Sequence, residues 1–304
     1  MKTAGKFLVI LLVYTGVYLA ATMLMPFSQA FTNLTASATA DPWSLPFLLL
    51  SNAWFCFAMC YIVSHARWRG LLLITVVTGV IFFVASFMTQ VETLFFNHAF
   101  PVLTKQDVFL IALSGLFPLL AAVPLTARLF NKKDAPPARF AKKYTIGGLF
   151  LPVLSLGLVY VVIYFLFGYF VAWQNEALRL FYSGTMENEG FWGQLVRNWE
   201  TYAIIYPFQF IRGILFALAA IPLLYLTKGS NRHFVISVCL VYLCTAIVLI
   251  IPNVLFPDTV RWGHFIEMTS SMLLFGLITG FTLARCRKLP HVRGQRPEAR
   301  GQKA

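Results

Sequence analysis

Three segments of this 304-residue chain place ionisable side chains inside apolar sequence. Glu92 stands in Met88-Thr89-Gln90-Val91-Glu92-Thr93, where Ser86, Thr89, Gln90, Thr93 and Asn97 form a polar stripe. Gln209 and Arg212 are three residues apart, so a helix puts both on one face. His264, Glu267 and Ser271 follow at intervals of three and four and also share a helix face. Ionisable groups at membrane depth are costly, so each requires a partner or a water-filled cavity. At 1.5 Å per residue, Arg212 should lie about 10–15 Å from one end of its helix, and Glu92 and Glu267 at a similar depth from the same side.

That matching height supports three kinds of chemistry. The first is a polar cavity that binds a small solute or a lipid headgroup; with His264 neutral, one net negative charge is left over, and the acids would titrate as a coupled set. The second is a hydrolase or transferase in which His264 exchanges protons with a carboxylate. The third is structural, with Arg212 pairing a carboxylate to hold helices together in an accessory subunit. His264-x-x-Glu267 also has metal-ligand spacing on a helix, but a nearby guanidinium would repel a divalent cation, so no metal is expected. No phosphate loop, HExxH or GxSxG motif occurs, and no cofactor is implied.

Composition dictates what must position these residues. Hydrophobic residues make up 59% of the chain and charged ones only 12%, which excludes a water-soluble globular enzyme and a disordered chain. Apolar stretches fall at 7–25, 44–64, 71–97, 106–127, 145–172, 201–226, 233–252 and 262–284. Each is long enough to cross the bilayer as a helix. The expected fold is an all-α polytopic transmembrane helix bundle of eight spans. The stretch 7–25 resembles a signal peptide, but it is long for one and is read as a retained first span.

The net charge of +13 follows the same plan. Lys2, Lys6, Arg67, Arg69, the basic linker 131–144, Lys228, Arg232 and the tail all fall on one side, which should be cytoplasmic. Both termini would then be cytoplasmic. The basic tail 286–304 lacks aromatic residues to stack on bases, so anionic lipid is its expected partner and nucleic acid is not. The linker divides the chain into four-span halves, 1–130 and 145–285. On the opposite side, the segment 173–200 is the longest loop. Its Phe191, Trp192, Leu195, Val196 and Trp199 read as a short interfacial helix. The corner containing Gln174 is expected to overhang the polar site.

Three short matches suggest a parallel duplication of the halves. Val13-Tyr14 with Tyr18 corresponds to Val159-Tyr160 with Tyr164, Pro46-Phe47 to Pro207-Phe208, and Asn97-x-x-Phe100-Pro101 to Asn253-x-x-Phe256-Pro257. The segments 88–96, 167–184, 207–213 and 264–276 resemble a group of bacterial multi-spanning membrane proteins that carries no assigned activity. The resemblance covers most of the membrane part and implies a bacterial inner-membrane protein. It transfers no substrate and no catalytic residue.

Overall fold

In the computed structural model, residues 2–37, 41–131 and 146–286 are described. The basic linker and the basic tail expected from the sequence lie almost wholly outside them. The described chain is an all-helical bundle. Eight helices are long and apolar enough to span a membrane: Thr3–Leu24, Ser44–Ser64, Gly70–Phe95, Lys105–Phe130, Gly148–Ala172, Ile205–Leu226, Asn231–Ile250 and Asp258–Arg285. This is a multi-pass integral membrane protein.

Three expected starts move by about a turn. The first span begins at Thr3 rather than at 7, and the sixth at Ile205 rather than at 201. The eighth span begins at Asp258 rather than at 262. Polar residues there hid the helix from a hydropathy reading. Arg261, which lies just outside the apolar stretch 262–284, is buried. Its Nη1 donates to the carbonyls of Ile250 at 2.6 Å and Leu249 at 3.1 Å, and its Nη2 donates to Asp258 Oδ1 at 2.7 Å. The guanidinium thereby satisfies carbonyls left open at the end of the seventh span. Asp107 is likewise buried, accepting from Ser28 and Thr104 in a capping box at the start of the fourth span.

Two ends of the bundle differ in chemistry. At the basic end, Lys6 Nζ donates to the Leu129 carbonyl at 2.9 Å, and Lys228 N donates to the His65 carbonyl at 2.9 Å. The opposite end holds two short helices between the fifth and sixth spans, Glu176–Ser183 and Phe191–Tyr202. In each half the first span packs on the second and fourth, the second on the third and fourth, and the third on the fourth. Across the halves, the third span packs on the sixth and seventh and the second on the seventh.

Three local breaks shape the end that carries the polar residues. The third span contains a π-helical turn at Phe83–Phe87, and the fifth contains another at Gly168–Ala172. Such turns insert a residue and rotate the remainder of the helix about its axis, and they are frequent at functional sites. The fourth span is interrupted at Gly115, where a Cβ would collide with the Ser86 side chain. Glycine there admits the swollen turn of the third span.

Candidate functional site

The sixth span brings Arg212 into the bundle beside a close helix crossing. A Cβ at Gly213 would lie 2.5 Å from the Tyr160 Cβ and 3.0 Å from the Gly157 Cα, so only glycine permits this approach to the fifth span. Arg212 is consequently 2% exposed. The rings of Phe208, Tyr160 and Phe216 surround its guanidinium at 5.6–5.8 Å.

A buried guanidinium needs a strong anionic partner, and the third span supplies one. Arg212 Nη1 donates to Glu92 Oε1 at 2.6 Å, and Nη2 donates to Glu92 Oε2 at 2.7 Å. This two-point geometry is the strong form of the interaction. Nη1 also donates to Gln209 Oε1 at 2.9 Å. Arg212 Nε and Gln209 Nε2 are buried without a protein partner. Gln209 and Arg212 thus share one helix face, with Gln209 holding Arg212 and Arg212 holding Glu92.

Glu267 does not join this pair. It is 7% exposed and accepts from Ser271 Oγ at 3.2 Å. Among the described residues, no Lys or Arg nitrogen comes within 4.0 Å of its carboxylate; the nearest basic atom is His264 Nδ1, at 4.0 Å. That separation is too long for a hydrogen bond. His264 Nε2 instead meets the Tyr182 hydroxyl at 2.9 Å. With the imidazole proton on Nδ1, Tyr182 donates to Nε2 and Nδ1–H faces Glu267. Burial pushes the Tyr182 phenol well above its ordinary value, and the charges of Glu92 and Glu267 push it further, so it stays a donor.

Glu92, Gln90, His264, Glu267 and Ser271 all face one cavity of about 730 Å³. That volume lies within the range of small-molecule sites. The floor is formed by the third, fifth, seventh and eighth spans. Its walls include many aromatic rings, Phe96, Tyr160, Tyr164, Tyr202 and Phe256 among them, and Gln194, Arg197 and Asn198 of the 191–202 helix also line it. Arg197 is itself paired with Glu189.

Three of the expected site residues, Gln209, Arg212 and Gln174, do not line the cavity; the first two lie behind Glu92, and Gln174 belongs to the corner above. The Gln174 Nε2 donates to the Tyr169 carbonyl at 2.9 Å and its Oε1 accepts from Asn188. The neighbouring Asn175 caps the 176–183 helix through its Oδ1 and donates from Nδ2 to the Thr259 carbonyl at 2.9 Å. The corner is a brace between the 176–183 helix and the eighth span.

Tyr182 escaped the sequence reading. The signal lay in Leu178 and Tyr182, four apart on a short helix and both facing the cavity. Buried Arg179 fixes that helix by donating to the carbonyls of Trp173 at 2.6 Å and Met186 at 2.8 Å. The 191–202 helix was anticipated as interfacial. Its Trp192, Val196 and Trp199 are exposed, while Phe191 and Leu195 turn to the cavity. Among the described residues, no group of three His, Cys, Asp or Glu side chains is placed to hold a metal. The chain matches no family model, no curated protein and no solved structure.

Proposed function

We propose that this is a bacterial inner-membrane protein, with both termini cytoplasmic, that binds a small amphipathic solute or lipid headgroup from the outer side and handles it in the 730 Å³ cavity. The observation that carries this reading is the convergence of two helices' carboxylates on one aromatic-walled space. A purely helix-knitting role accounts for Arg212 and Glu92. It does not account for Glu267, which faces the cavity without a full cation. The acid–base reading called for His264 within hydrogen-bonding reach of an acid, and its ring bonds Tyr182 instead.

The test is to fill the cavity. Gly168 lies on its wall, and a Cβ there meets nothing within 4 Å. Gly168→Phe should fold normally and weaken binding of a neutral amphiphile, phenylbutanol, by tenfold or more, an estimate of about 1.4 kcal/mol. Unchanged binding in the folded variant would refute the reading.

A further inference from the structure

The two carboxylates on the cavity wall are electrostatically unequal. Both oxygens of Glu92 are held by Arg212. Glu267 is nine-tenths buried, has among the described residues only the neutral Ser271 hydroxyl in hydrogen-bonding contact with its carboxylate, and faces the same space. A carboxylate removed from water with no cation is unfavourable, and it is stabilised when a cation arrives. Aromatic rings line the same space, Tyr164, Phe256 and Tyr182 among them, and the negative face of such a ring favours a cation further. Arg197, a cation that also lines the cavity, is already paired with Glu189. Resting on the cavity reading above, we infer that the ligand is an amine: an ammonium head seated against Glu267, with an apolar body stacked on the aromatic walls.

The experiment compares three probes that share one apolar body and differ only in the head: phenylbutylamine, phenylbutanol and phenylbutyrate. Binding to the full-length protein in phosphatidylcholine nanodiscs is measured by calorimetry. The amine should bind about tenfold more tightly than the alcohol, and the carboxylate most weakly. Glu267→Gln should bring the amine down to the alcohol's affinity and leave the alcohol unchanged, whereas Glu267→Asp should keep the preference. Should Glu267→Gln fail to fold, the wild-type ratio and Glu267→Asp decide. An alcohol that binds as tightly as the amine would overturn the ligand class and leave the cavity reading standing. An amine preference that survives Glu267→Gln would overturn the role of Glu267. Failure of all three probes to bind would overturn both readings.

Discussion

Arg212 grips both carboxylate oxygens of Glu92 from the far side, at 2.6 and 2.7 Å, while the carboxylate also lines the cavity. The guanidinium is almost wholly buried and its partner is 24% exposed. Glu92 is therefore held and paired, and Glu267 is left as the acidic side chain open to a guest.

Breaking this pair should be more harmful than deleting it. Arg212→Leu leaves Glu92 without its cation and should cost about 3–5 kcal/mol, read from thermal unfolding in detergent. The double variant Arg212→Leu with Glu92→Leu should recover most of that loss. A double variant as unstable as the single one would show that the pair matters through something besides charge.

The helix crossing beneath Arg212 should tolerate no side chain at Gly213. Gly213→Leu must push the fifth and sixth spans apart, because its Cβ would meet Tyr160 and the Gly157 backbone. A loss of about 3 kcal/mol or failure to fold is expected, against a small effect at Gly168. Equal stabilities for the two variants would contradict the packing described.

Tyr182 makes stability depend on alkaline pH. Its phenol holds its proton more tightly folded than unfolded, because burial raises its pKa. The stability this contributes is complete below the unfolded value, about 10, and is lost as pH rises past it. Tyr182→Phe should therefore flatten the decline in melting temperature above about pH 10. The same variant should change the tautomer of His264 seen by nitrogen NMR. An unaltered tautomer would mean that the 2.9 Å contact does not hold the ring.

The eight spans and the three costly charges were legible because both follow from transfer free energy, which acts residue by residue along the chain. Glu92, Arg212 and Glu267 could be placed at one depth from counting alone. Which carboxylate Arg212 would take was not legible, since that depends on the rotation of each helix about its axis. The π turns at Phe83–Phe87 and Gly168–Ala172 alter that rotation and have no hydropathy signature. The burial of Arg179, Arg261 and Asp107 was not legible either, because hydropathy treats each charge as exposed. Each is buried because nearby backbone carbonyls or hydroxyls satisfy it. The cavity walls were hidden for another reason: aromatic residues are as suited to lipid contact as to a ligand.

Sidedness is checked by fusions. Alkaline phosphatase fused after residue 187, between the two short helices, should be active, and the same enzyme at the C-terminus should be inactive. The reverse pattern would turn the cavity toward the cytoplasm.

The most direct test of the central claim is access of water to Glu267 from the outer side. Ser271 touches that carboxylate and lines the cavity. Cys56, Cys60, Cys239 and Cys244 are buried away from the cavity lining, and Cys286 lies at the basic end, so Ser271→Cys in a Cys286→Ser background offers one thiol on the cavity wall. A membrane-impermeant thiol reagent applied to intact cells should label it, and Gly168→Phe should slow the labelling. A thiol at 271 that stays unlabelled, while one at Asn198 of the 191–202 helix reacts, would show a closed and packed interior and contradict the account.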